Sequence, residues 1–116
     1  LAARTLRRAG YRILGRNLHV PMGEADLLCL APDRRTIVLV EVKTRITGPV
    51  AGATFVPPPP EASVHAEKRD KLRRILRHLV TANRWHDRPH RIDVIAIDWP
   101  ADGGKPDVRH HVDAVR

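Results

Sequence analysis

The spacing of apolar side chains changes period several times along the chain, and each change marks an element. In residues 1–9, Leu1, Ala2, Thr5, Leu6 and Ala9 share one stripe with Arg4, Arg7 and Arg8 around it, which predicts an amphipathic helix. Gly10 follows as a C-terminal cap. The first residue is Leu rather than Met, so the start of this helix is expected upstream. Residues 11–18 alternate, with Tyr11, Ile13 and Gly15 on one side and Leu14 and Leu18 on the other, and predict a strand that Pro21, Met22 and Gly23 interrupt. Two apolar runs follow, 25–31 and 36–42, joined by Pro32-Asp33-Arg34-Arg35. The Pro-Asp start is turn chemistry, so the runs form a hairpin. Both faces of that hairpin are apolar, which makes it a central element covered on both sides.

The pattern fails across residues 48–62, where Gly48, Pro49, Gly52 and four consecutive prolines at 57–60 predict an extended loop. Ser63 is placed to cap the next helix. There Leu72, Ile75, Leu76, Leu79 and Val80 recur as one buried stripe, with Lys68, Arg69, Lys71, Arg73, Arg74 and Arg77 largely outside it. Residues 83–89 end the helix. Residues 91–99 read as a strand cored by Ile92, Val94, Ile95 and Ile97, and a Gly-Gly turn leads to a short last strand around 110–115. The order is α-β-β-β-α-β with a possible terminal strand. A long crossover helix between strands argues for an α/β fold with a mixed β-sheet flanked by helices, in a single domain over 1–116.

Composition adds a partner. The 116 residues suit one modest core, and an apolar fraction of 42% is that of an ordinary globular domain. Lys plus Arg outnumber Asp plus Glu by 21 to 13, a formal net charge of +8. That excess points to an anionic partner. Nucleic acid comes first, because basic side chains release the counterions of a phosphate backbone. An anionic membrane surface comes second. No apolar stretch approaches the ~18 residues of a spanning helix and no leader pattern opens the chain, so a cytoplasmic location is expected. Cys29 is the only cysteine, which rules out an intrachain disulfide and thiolate metal clusters. Its apolar surroundings predict a buried, inert thiol.

The chemistry concentrates at one end of the hairpin. A turn centred between Asp33 and Arg34 sets Asp26 opposite Glu41 and Glu24 opposite Lys43, all on the face that carries Leu28, Leu39, Leu30 and Ile37. Facing carboxylates repel, and burial adds to the penalty. A hard divalent cation would relieve both, since Mg2+ favours carboxylate oxygens and keeps several waters. Asp26 and Glu41 are the candidate ligands, with the Val42 carbonyl as a helper. An ion there would promote attack of water on a phosphodiester, with Lys43 orienting the water and neutralising the phosphate. The alternatives are an exposed Glu41–Lys43 ion pair and a turn role for Asp26. A one-residue slip of register would put the two acids on opposite faces.

Three segments in order resemble a known family: Gly10-Tyr11-Arg12-Ile13-Leu14-Gly15-Arg16-Asn17, Gly23-Glu24-Ala25-Asp26-Leu27-Leu28 and Val40-Glu41-Val42-Lys43-Thr44-Arg45. With the Lys68 region and Arg91-Ile92-Asp93-Val94, they look like the YraN-type family. Its members resemble restriction-endonuclease-fold PD-(D/E)xK nucleases, near the archaeal Holliday-junction resolvases. The resemblance implies a restriction-endonuclease-like fold with Asp26, Glu41 and Lys43 as the catalytic motif residues, Mg2+ or Mn2+ as cofactor, and hydrolysis of DNA, with branched or structured DNA suggested by the neighbouring resolvases. Glu24 is a family feature and a possible additional acid. The chain departs from the family in three ways. The Gly-Glu pair usual in the first helix would lie upstream of Leu1, Ala25 replaces a larger aliphatic residue, and the proline-rich loop is longer.

Arg45, Lys68, Arg69, Lys71, Arg73 and Arg74 are the candidate DNA contacts, against the alternative of a solvated helix face. His86 with His90 and His110 with His111 have spacings that could bind zinc, although no cysteine supports it. Trp85, Trp99, Tyr11 and Phe55 are too scattered for a base-stacking platform, and Trp85 is expected to close the helix against the core. A junction-cutting role implies a two-fold homodimer, for which no interface is legible. The rival readings are a non-catalytic nucleic-acid-binding module that keeps the nuclease fold, and a partner-binding protein with a vestigial acidic cluster.

Overall fold

The computed structural model describes residues 1–48 and 66–115. Helix α1 (Ala2–Arg8) is followed by strands β1 (Arg12–Val20), β2 (Gly23–Leu30) and β3 (Ile37–Thr47), helix α2 (Ala66–Ala82), and strands β4 (His90–Pro100) and β5 (Asp107–His111). The five strands form one sheet in the order β1-β2-β3-β4-β5, with β3 and β4 parallel and every other pair antiparallel. This α/β arrangement, a mixed sheet with a helix on each face, is consistent with a restriction-endonuclease-like core. The Ser63 cap, Phe55 and the proline run lie outside the described residues.

Local chemistry accounts for the joints. Gly10 (φ +93) donates its N–H to the Arg7 carbonyl and Tyr11 donates to Leu6, so α1 ends in a Schellman motif, as its glycine predicts. Strand β1 runs two residues beyond the predicted 11–18. Its register shifts between Ile13 and Gly15, so Leu14 bulges out of the ladder and stays exposed. In the β2–β3 turn, the Asp33 carboxylate accepts the N–H groups of Arg35 and Thr36 and the Thr36 hydroxyl. Those bonds hold its pKa down at about 2.

Two cores sandwich the sheet. Ala2 and Leu6 of α1 pack with Leu27, Cys29, Val38, Val40, Ile95 and Ile97. On the other face Leu72, Ile75, Leu76, Leu79 and Val80 of α2 pack with Leu28, Ile37, Leu39, Ile92 and Val94, and Trp85 closes against them. The hairpin is therefore covered on both sides, as its apolar faces predict. Burial pushes the Cys29 thiol up to about 11, which leaves it protonated and inert. In β3 the residues Ile37 and Leu39 face α2, so alternation carries Glu41 and Lys43 to the same side.

The last strand differs from the predicted 110–115. Strand β5 occupies Asp107–His111, and the chain then turns at Asp113 (φ +54), whose N–H donates to the Asp93 carboxylate at 2.9 Å. The apolar character of Val115 belongs to the α2-side core, which it reaches after Ala114 bonds to Ile92, and not to an extended strand. Among the described residues no helix is long and apolar enough to cross a membrane.

Candidate active site

The β2–β3 ladder begins at Leu30↔Ile37 and ends at Leu27↔Val40, in the register that the sequence predicts. Beyond Leu27 the predicted pairing is modified. The Val42 N–H donates to Asp26 Oδ2 at 2.7 Å, so a side chain replaces a main-chain carbonyl as the acceptor. Alternation in β2 breaks at the same point, since Ala25 and Leu28, three residues apart, share the α2-side core. Asp26 thus meets segment 41–43 through the Val42 main chain instead of standing in a ladder pair with Glu41.

Glu41 is 5% exposed. Its Oε1 takes two ammonium groups, Lys43 Nζ at 3.3 Å and Lys68 Nζ at 3.1 Å. A buried carboxylate needs such partners, because an unpaired charge removed from water costs several kcal/mol. Lys68 comes from the first turn of α2, which crosses this end of the sheet. Its pKa is raised, first by the hydrogen bond to Glu41, which together with the charges of Glu41 and Asp26 outweighs burial. Lys68 was expected only as a DNA contact. The helical stripe fixes which face of α2 is buried, but not the point where its first turn crosses the sheet, so spacing alone could not assign Lys68 to Glu41.

Glu24 does not join this group as predicted. It pairs in register with His19 of β1, and its carboxylate lies 3.2 Å from His19 Nδ1 in an exposed contact. The departure of β2 from β3 before Gly23 removes the register that would have set Glu24 opposite Lys43. Arg45 is also diverted, because its Nε donates to Asp98 of β4 at 2.9 Å, and Arg109 of β5 holds the other oxygen of Asp98 at 3.0 Å. Arg45 thus staples the sheet. Arg74 approaches Asp70 at 3.9 Å. Arg69 and Arg73 also lie on α2, Arg69 exposed and Arg73 half-buried. Lys71 lies across Gly23 (φ +153), where an added Cβ would come within 2.5 Å of Lys71 Cε. Lys68, Lys71 and Arg74 line the hollows between α2 and the β1–β2 turn.

The donor chemistry fits a hard divalent cation. Asp26 and Glu41 offer carboxylate oxygens on neighbouring strands, with the Val42 carbonyl between Glu41 and Lys43. Among the described residues no three His, Cys, Asp or Glu side chains converge, so the remaining positions would fall to water, as Mg2+ prefers. The histidine pairs, whose spacing alone could have suited zinc, are not part of any such group among the described residues. His110 instead contacts the buried Asp93 at 2.8 Å, on the α1 side of the sheet.

Comparison with known proteins agrees with the sequence motifs. A UPF0102 protein of Pelobacter propionicus is 36% identical over 114 residues, which cover 98% of this chain and 76% of that protein. One of Desulfitobacterium hafniense is 36% identical over 110 residues, 93% of this chain and 84% of the relative. One of Moorella thermoacetica is 38% identical over 96 residues, 83% of this chain and 72% of the relative. A family model matches residues 1–97, and the chain belongs to the family it describes, Uncharacterised protein family UPF0102.

Proposed function

We propose that this protein is a metal-dependent DNA endonuclease that hydrolyses phosphodiesters, with branched or structured DNA as its substrate and the cytoplasm as its compartment. One observation carries the reading. Asp26, Glu41, Lys43 and Lys68 meet at one end of a sheet face that is otherwise apolar. Charged groups are costly there, and structural stability alone gives no reason to gather them.

Asp26, Glu41 and the Val42 carbonyl would hold Mg2+ or Mn2+. When bound, such an ion stabilises charge on phosphoryl oxygens and lowers the pKa of an attacking water. Lys43 orients that water and neutralises the phosphate. Lys68 exchanges its bond to Glu41 for the incoming phosphate, so that the approach of DNA frees the carboxylate. Lys71 and Arg74 guide the flanking backbone.

A second reading, a nucleic-acid-binding module without catalysis, draws on the same carboxylate. Two ammonium groups already neutralise Glu41, so it is satisfied without a metal. Labelled junction, flap, duplex and single-stranded DNA incubated with Mn2+ or with chelator distinguish the two. The nuclease reading expects Mn2+-dependent cleavage that Asp26→Asn and Lys43→Ala abolish while binding is largely kept. Tight binding with no cutting of any substrate favours the module.

A further inference from the structure

Positive charge gathers a second time at the opposite end of the sheet. Arg34 and Arg35 sit in the β2–β3 turn, and Arg12 opens β1, paired with Leu30, the last residue of β2. Arg7 and Arg8 lie in the last turn of α1. The Gly10 cap of that helix rests against the hairpin turn, since a Cβ added there would stand 3.4 Å from the Pro32 ring. All five arginines are exposed, and Arg12 and Arg34 line one hollow of about 240 Å³ with Gly10, Leu30 and Ala31. Ile37, which pairs with Leu30, is four residues of strand from Glu41, roughly 13 Å. None of these residues belongs to the candidate active site or to the hollows beside it.

Local structure does not account for these charges. Cations suit the carbonyl end of a helix, which explains Arg7 and Arg8 in part. Arg12, Arg34 and Arg35 have no such reason. Among the described residues no carboxylate lies within ion-pair distance of their guanidinium groups. The acid of the turn, Asp33, is taken up by the N–H groups of Arg35 and Thr36 and by the Thr36 hydroxyl. Arg34 also has φ +62, in the left-handed region where Gly is at ease and a side chain adds strain. The shape of the turn alone thus favours Gly at the position that carries a guanidinium. Arg88 Nη1 donates to the Arg34 carbonyl at 3.3 Å, so the backbone that presents Arg34 is braced from the β4 side.

We propose that this arginine end binds the phosphodiester backbone of a nucleic acid, with one phosphate between Arg12 and Arg34 and its neighbours on Arg35, Arg7 and Arg8. Guanidinium forks match phosphate oxygens in pairs, and every cation of the cluster is an arginine. A nucleic-acid strand offers one charge per nucleotide, so successive arginines engage successive phosphates. A membrane surface calls for aromatic or large apolar side chains beside the charge. The one exposed aromatic ring among the described residues, Trp99, stands at the far end of β4. The inference goes beyond the nuclease reading and shares no residue with it, because this end anchors a strand whether or not the chain cuts one.

Fluorescence anisotropy with labelled duplex DNA, single-stranded DNA and duplex RNA tests it, across a salt series in chelator so that nothing is cleaved. The form bound most tightly identifies the source of the backbone. For that form, Arg12→Ala with Arg34→Gly should weaken binding about tenfold or more at physiological salt. The slope of log affinity against log salt should fall by about 2. Arg34→Gly alone should keep or raise the melting temperature, because Gly relieves the left-handed strain, so the lost affinity is not due to unfolding. Lys105→Ala removes a charge from the β4–β5 connection at the other end of the sheet and should leave the slope unchanged. Asp26→Asn should preserve the arginine-dependent part of the slope, which separates anchoring from cleavage. The inference fails if none of the three forms binds, or if the folded double variant keeps the wild-type slope. It fails equally if Lys105→Ala lowers the slope as much, or if polyglutamate or anionic vesicles displace the nucleic acid at matched charge.

Discussion

Asp93 is fully buried on the sheet face opposite the candidate site, and its carboxylate contacts three other residues. It accepts from Arg91 Nε and from the Asp113 N–H, each at 2.9 Å, and contacts His110 Nε2 at 2.8 Å, while Arg91 Nη2 donates to the Tyr11 hydroxyl at 2.7 Å. One carboxylate thus ties β4 to β5, to the turn after it and, through Arg91, to the start of β1. Burial pushes its pKa up, but the bonds from His110, Arg91 and Asp113 outweigh burial and hold it below the ordinary carboxylate value. A depressed folded pKa means stability that is present above the unfolded value, roughly 3.9, and lost as pH falls through the folded value. Asp93→Ala should therefore cost roughly 3–5 kcal/mol at neutral pH in urea denaturation, because it leaves the half-buried Arg91 and His110 without the carboxylate that both contact. The difference in stability between the wild type and Asp93→Asn should shrink as the solution is acidified below about pH 4. A constant difference across that range would show that Asp93 acts only through packing.

At the scale of elements, α2 serves both the core and the site. Its buried stripe fixes which way it faces, and its first turn then delivers Lys68 to Glu41. The stripe and the basic flanks are legible in the sequence because both follow the 3.6-residue period. Leu72 is 1% exposed and lies one turn from Lys68. Leu72→Ala should destabilise the fold by about 2–5 kcal/mol, read from the shift of the urea midpoint at constant slope. A loss well under 1 kcal/mol would mean that α2 is held by something other than its apolar face. Strand β2 is the opposite case. Its apolar run predicts the ladder up to Leu27, but the exchange of a main-chain acceptor for the Asp26 carboxylate has no periodic signature, and it redirects Glu24 to His19.

Over the whole molecule, a net charge of +8 is spread unevenly in function. Arg45, Arg91 and Arg109 are committed to buried or half-buried aspartates and hold strands together. Lys71 and Arg74 sit on the exposed flank of α2 beside the candidate site. Affinity for duplex DNA should therefore fall steeply with salt. Lys71→Ala with Arg74→Ala should lower the slope of log affinity against log salt by about 2, one for each lost phosphate contact. Arg45→Ala should instead reduce stability. A salt slope unchanged by the double variant would move the nucleic-acid surface elsewhere on the molecule.

The sequence by itself determined the order of elements, the central covered hairpin, the buried thiol and the proximity of Asp26 to segment 41–43. All of these follow from short-range periodicity and from a turn whose residues declare it. Only the tertiary structure decided which charges meet. Lys68 joins Glu41 across 27 residues of chain, Arg45 meets Asp98 across 53, and Asp93 gathers partners from β4, β5 and the tail. A basic or acidic side chain looks the same in the sequence whether it faces water or a buried partner. Its role is set by which element crosses above it, and that depends on how the two cores pack.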